Sequence, residues 1–222
     1  EGGIFNLRSY SHLIGGINKK SFSADAIWMQ TGSGTGTGTD SDPYYFSQFN
    51  EATLAAANTS SKQIVMKDGT YVFTTSGEEL RDTNLPFVTF VAENKHQAII
   101  KDVGRLNIGA LTSQVLRLKD IYFWAVDHFV WNVNIDIYLK GCYVKAERYI
   151  SCSEIFADEC IIEQVGFYAI HALGEFNKCL FIDRRQAASK FNTNTPTFKN
   201  CIFRTVSPQS FAPVNSGSNI IN

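Results

Sequence analysis

One six-residue phrase recurs five times in the second half of the chain: LKDIYF (118–123), LKGCYV (139–144), ADECII (157–162), FNKCLF (176–181) and FKNCIF (198–203). The copies lie about twenty residues apart with small insertions, the signature of a stacked repeat. The copies align on Ile121, Cys142, Cys160, Cys179 and Cys201. The position two further on then reads Phe123, Val144, Ile162, Phe181 and Phe203, and the position three before reads Leu118, Leu139, Ala157, Phe176 and Phe198. All are apolar, and positions 0 and +2 share one side of a strand. A unit this short cannot bury its own inner face, so the copies must stack, at about 4.8 Å per layer if they are strands.

Two other repeat architectures fail on pattern. A helical repeat needs apolar residues at i, i+3, i+4 and i+7, whereas these phrases alternate and are crowded with Val, Ile, Phe and Tyr. A leucine-rich repeat needs an LxxLxL phrase, which does not occur. The position before the aligned column holds Asp120, Gly141, Glu159, Lys178 and Asn200. Gly, Asn and Asp tolerate the left-handed backbone of a sharp bend; Glu and Lys do not favour it. Each phrase thus reads as strand end, bend, strand start. The expected fold is all-β: a single-stranded parallel β-helix, a solenoid.

Four of the five cysteines occupy the aligned column. No CxxC pair occurs, and ligands spaced by a whole repeat do not make a zinc knuckle, so a packed column of thiols is expected and no metal site. The 222 residues suit one domain with a real core. The net charge of −1 gives no basic face for nucleic acid. No run of eighteen apolar residues marks a membrane span. Glu1 follows no start Met or signal peptide, and the chain reads as a module of something longer.

The first half has its own grammar. Asp42 is placed to cap a helix with Pro43 in its first turn. Phe46, Phe49, Ala52 and Ala56 give that helix, about residues 43–57, one apolar side. A strand Ile64–Met66, a turn at Asp68-Gly69 and a strand Thr70–Phe73 follow. Residues 1–40 read as an N-terminal extension ending in a Gly/Thr-rich linker, TGSGTGTGTDSD, that lacks the lysine of a phosphate-binding loop. Residues 41–222 read as the repeat domain.

The run from Asp42-Pro43 through IVMKDGTYVF and VTFVAENKHQAII into coils of NCxF type resembles the opening of the pectin-lyase-like right-handed parallel β-helix superfamily. The likeness spans about residues 41–205 and implies an N-terminal capping α-helix over the first coil. The superfamily includes polysaccharide lyases, glycoside hydrolases, phage tailspikes and adhesins, and fold alone does not choose among them. Its lyases use acidic Ca²⁺ ligands with an Arg or Lys base, so Ca²⁺ enters only with that activity; otherwise no cofactor is implied.

The best catalytic candidates are Asp183, Arg184 and Arg185, with Glu163 one coil earlier and Lys145, beside Arg148, two coils earlier. The +3 column reads Trp124, Lys145, Glu163, Ile182 and Arg204, which is equally a solvated ladder. His12, His96, His128 and His171 are scattered, and Asn58-Thr59-Ser60 is a chance-prone sequon. The +1 column is Tyr122, Tyr143, Ile161, Leu180 and Ile202. It makes an outward apolar stripe on the order of 20 Å long. Such a stripe is covered by residues 206–222, or faces another chain in a homo-oligomer such as a trimer, or offers Tyr122, Tyr143 and Trp124 to sugar rings. Two functions follow. One is a carbohydrate- or partner-binding module of an extracellular or virion-surface protein of tailspike, tail-fibre or adhesin type. The other is a polysaccharide lyase, or less readily a glycoside hydrolase, acting on an acidic glycan.

Overall fold

The computed structural model describes residues 20–73, 82–102, 114–126, 129–131, 135–147, 150–164, 170–183, 196–205 and 220–221. In chain order the elements are β1 (Ile27–Gln30), β2 (Tyr44–Tyr45), a 3-10 turn (Phe46–Gln48), α1 (Phe49–Ala57), β3 (Gln63–Met66), β4 (Gly69–Phe73) and a second 3-10 turn (Leu85–Phe87). There follow β5 (Thr89–Ala92), β6 (Ala98–Asp102), β7 (Gln114–Lys119), β8 (Tyr122–Ala125), β9 (Phe129–Trp131), β10 (Ile135–Lys140), β11 (Tyr143–Ala146) and β12 (Ile150–Asp158). The last are β13 (Ile161–Gln164), β14 (Ile170–Asn177), β15 (Leu180–Asp183), β16 (Thr197–Lys199), β17 (Ile202–Thr205) and β18 (Ile220–Ile221).

The described chain is thus mostly β, with two parallel sheets and one short helix. Sheet A runs β16-β14-β12-β10-β7-β5-β3-β1-β2, with β9 pairing β12; sheet B runs β18-β17-β15-β13-β11-β8-β6-β4. From β3 onward successive strands alternate between the sheets, except that β9 and β10 both belong to sheet A and β17 and β18 both to sheet B, and strands pair in parallel with their counterparts one repeat away. The repeat phrase bridges the sheets: its first residues close a strand of sheet A, and its last open a strand of sheet B.

Between these strands stand only two residues, of which the first is left-handed in every copy. The φ values are 59° at Asp120, 61° at Gly141, 55° at Glu159, 51° at Lys178 and 53° at Asn200. The column therefore bends uniformly, including at Glu159 and Lys178, where side-chain type argues against it. Inter-repeat hydrogen bonds supply the reason. The amides of the first four donate to the last carbonyl of the neighbouring sheet A strand: Asp120 to Lys140 (2.8 Å), Gly141 to Asp158 (2.9 Å), Glu159 to Asn177 (3.0 Å) and Lys178 to Lys199 (2.9 Å). Two residues on, Tyr143, Ile161, Leu180 and Ile202 donate back to Ile121, Cys142, Cys160 and Cys179 at 2.9–3.0 Å. These bonds give the backbone groups of the corner partners in the neighbouring repeats on both sides.

The core lies between the sheets. Cys142, Cys160, Cys179 and Cys201 are buried and free of disulfides. The thiols of Cys142, Cys179 and Cys201 donate to the carbonyls of Leu118, Ala157 and Phe176 in the preceding repeat at 3.3–3.4 Å. Cysteine fits the column because it is small and apolar yet carries a weak donor. Phe176 stacks on Phe198 (5.4 Å, 13°) and Phe181 on Phe203 (4.9 Å, 12°), with edge contacts between the two stacks.

Helix α1 covers the other end, burying Phe49, Ala52, Thr53 and Ala56. Phe49 stacks on Phe90 at 5.6 Å, and the Thr53 hydroxyl donates to Asp82. The helix is shorter than the sequence suggests. Tyr44 and Tyr45 pair with Met29 and Gln30 as a strand, and Asp42 serves the preceding loop instead of the helix. Its carbonyl accepts from the amides of Thr37, Gly38 and Thr39, and its carboxylate from Thr37. The Gly/Thr segment is consequently a hydrogen-bonded loop rather than a free linker, and β1, before it, belongs to sheet A through its pairing with β3.

Candidate functional site

On sheet B the +1 and +3 columns hold the residues expected at a site. Ile99, Tyr122, Tyr143, Ile161, Leu180 and Ile202 stand in register across six strands. All are half-buried except Ile202, which is 38% exposed. Of the C-terminal residues proposed to cover this stripe, 206–219 and 222 lie outside the described residues; Ile220 and Ile221 extend sheet B as β18.

In the +3 column the Trp124 ring lies between Lys101 (4.5 Å) and Lys145 (5.1 Å), which come from the strands on either side. The Trp124 indole donates to Glu147 at 3.1 Å. Tyr122 meets Tyr143 edge-on at 4.9 Å, and the Tyr143 hydroxyl donates to Glu163. Burial raises the Tyr122 phenol above its ordinary range, with Glu163 and Glu147 adding to the shift. Glu163 is only 7% exposed. This face is therefore a packed network whose groups already engage one another. Asp183 pairs in register with Gln164, not with Glu163, so the two carboxylate residues do not share a column. Arg184, Arg185, Arg148, His12 and His128 lie outside the described residues, as do the side chains of Asp183 and His171.

A concavity lies on the outer face of sheet A, where the sequence reading placed nothing. A shallow cleft of about 460 Å³ runs across β7, β10, β12 and β14. Two columns line it. Four residues before the aligned position stand Arg117, Tyr138, Phe156 and Glu175; two before it stand Lys119, Lys140, Asp158 and Asn177. Beyond the cleft the columns continue to Thr197 and Lys199. Tyr138 stacks on Phe156 (5.1 Å, 15°), and Arg117 lies 5.3 Å from the Tyr138 ring centroid while donating to the carbonyl of Pro86. Lys199 pairs with Glu175 at 2.5 Å; Asn177 donates to Asp158 at 2.9 Å, and Lys140 approaches Asp158 at 3.7 Å. In-register pairing on rigid parallel strands holds the two rings side by side, because each side chain repeats one strand spacing from the last.

The signal for this site was present in the repeat itself. The −2 column is the second letter of every phrase, and the −4 column stands one residue before the phrase begins. Chemically, the cleft offers an aromatic floor of two rings with cationic donors toward β7 and β10 and acceptors toward β12 and β14, suited to a ring-shaped polar ligand. Among the described residues no three His, Cys, Asp or Glu side chains cluster to hold a metal ion, and no helix is long and apolar enough to cross a membrane. Compared with known protein families, curated proteins and solved structures, the chain matches none.

Proposed function

We propose that the chain is a right-handed parallel β-helix serving as a carbohydrate-binding module of a larger extracellular or virion-surface protein, of tailspike, tail-fibre or adhesin type. Two-residue bends between alternating parallel sheets support the solenoid. The observation that carries the function is the Tyr138–Phe156 floor of the sheet A cleft. Aromatic faces bind the C–H faces of sugar rings, and the rigid sheet supplies them preformed, so little ordering opposes binding. The half-buried apolar ladder on sheet B supports association with further copies, a trimer in this reading, or with other subunits of the assembly.

Polysaccharide cleavage, with Ca²⁺ if by a lyase, has less behind it: Glu163 is buried and accepts the Tyr143 hydroxyl, and Lys145 lies against Trp124. The test is calorimetric titration of the folded chain with a panel of oligosaccharides. Tyr138→Ala should weaken binding roughly tenfold, matching about 1.4 kcal/mol of lost stacking. Absence of any binding, or binding indifferent to this substitution, would remove the site. Release of shortened products from the panel would instead establish the enzyme.

A further inference from the structure

We propose that the sheet A cleft is electrostatically polar along its length, and that it takes an oligosaccharide whose anionic substituent, a carboxylate or sulfate, sits against Arg117, Lys119 and Lys140 while its ring lies on Tyr138 and Phe156. The inference rests on the carbohydrate reading above and adds to it the charge and orientation of the ligand.

Charge accounting within the two columns carries it. Toward β14 and β16 the charges cancel: Lys199 pairs with Glu175 at 2.5 Å, and Asn177, which donates to Asp158 at 2.9 Å, is neutral, so the charge of Asp158 stays on the side of Lys140. Toward β7 they do not. Lys119 is exposed and makes no hydrogen bond, ion pair or ring contact among the described residues. Arg117 spends itself on a neutral carbonyl and an aromatic face, neither of which cancels its charge. Lys140, in register beside Lys119, shares Asp158 only at 3.7 Å, with 63% of its side chain exposed.

Three cations on two neighbouring strands therefore face one carboxylate, that of Asp158. Like charges directly opposite in a sheet repel. A ligand anion placed among them relieves that repulsion and gains charge-assisted hydrogen bonds. The guanidinium of Arg117 has five donors, so its bond to Pro86 leaves others for the ligand. Along a strand, the −4 and −2 columns are about 7 Å apart, about the distance from a pyranose ring centre to a cation hydrogen-bonded to an acid group on the ring's edge. The aromatic rings thus share the −4 column with Arg117, and the two lysines stand beside them in the −2 column.

The experiment is calorimetric titration of the whole chain, at low and at high salt, with neutral gluco-, galacto- and manno-configured tetrasaccharides and their uronate and sulfated counterparts. Inorganic sulfate serves as a competitor. The expected result is binding of at least one charged member about tenfold or more tighter than its neutral counterpart at low salt, with the difference shrinking as salt screens it. Lys119→Met should abolish the difference, and Lys199→Met should leave it. Both residues are on the outer surface, and circular dichroism of each variant checks the fold. Equal affinity for charged and neutral members, or a preference that survives Lys119→Met, would overturn the proposal while leaving the carbohydrate reading intact. If no member binds, both fall. If inorganic sulfate displaces the saccharide at concentrations like those of the charged sugar itself, the site is one for free anions and the oriented-saccharide proposal fails.

Discussion

Replacing Glu159 or Lys178 by glycine should stabilise this protein, although each substitution deletes a side chain. Both residues hold left-handed backbone, with φ of 55° and 51°. A residue with a Cβ pays about 1–2 kcal/mol there, whereas glycine is free of that strain. Against this stands the extra backbone entropy glycine loses on folding, about 0.5–1 kcal/mol. The Lys178–Glu159 ion pair is also lost, but at 3.7 Å with both side chains more than half exposed it contributes little. The balance is a gain of about 0.5–1 kcal/mol per site. For a chain of this size that is about 2–4 °C in Tm per kcal/mol. The assay is thermal and urea unfolding of Glu159→Gly and Lys178→Gly beside Gly141→Ala. The alanine variant should move the other way, because φ is 61° at Gly141 and an added Cβ would stand 2.5 Å from Asp120 Oδ1. If both glycine variants are less stable than the parent while Gly141→Ala is neutral, the left-handed corners are not strained and the reasoning fails.

Three further outcomes are expected. Gly174→Ala should cost about 3 kcal/mol or more, since φ there is 114° and the new Cβ would lie 2.1 Å from the Ile155 carbonyl oxygen; unaltered urea unfolding would contradict that geometry. The folded chain should resist thiol reagents at pH 8 and titrate fully only after denaturation. Burial pushes the Cys142 and Cys152 thiols up, and the thiolate is the reactive form; hydrogen bonds from neighbouring thiols lower Cys160 and Cys201 instead, so these two are protected by burial alone, and fast labelling of any column cysteine would place it at the surface. His96 should make stability fall as pH drops below about 6.5. Burial lowers its folded pKa, although its ring also hydrogen-bonds the Gly141 carbonyl, so the unfolded chain binds the proton first. His96→Asn should flatten that limb of the pH profile, and an unchanged profile would show the ring to be hydrated.

The core was legible in the sequence because its signal is positional and repeated. Leu118, Leu139, Ala157, Phe176 and Phe198 recur in phase, and every one is buried. The bends were legible only where residue type agreed with backbone. Glu159 and Lys178 adopt the same φ as Asn200 because neighbouring repeats donate and accept around them, a cooperative effect that no single-residue preference encodes. The helix start was misplaced because Tyr44 and Tyr45 find strand partners in β1, far from them in local pattern. The cleft went unread for a different reason. Tyr138 and Phe156 are aromatic like the core, and only the register shows them on the outside, with Arg117 and Glu175 at the two ends of their row. The expected site on sheet B contained the right kinds of residue, yet Tyr143, Glu163, Trp124 and Lys145 satisfy one another there.

The two-residue corner also divides the molecule into a constant and a variable edge. From β7 to β17 the passage from sheet A to sheet B never changes length, since inserting one residue would break hydrogen bonds to the repeats above and below. The return passage is unconstrained in this way: it runs from Ala146 to Ile150 in one repeat and from Asp183 to Thr197 in another. Insertions therefore collect on the side where sheet A strands begin, without disturbing register elsewhere. A chain built like this can acquire new loops at the far ends of its sheet A strands one repeat at a time, while the cleft, which lies beside the constant corner, keeps its register.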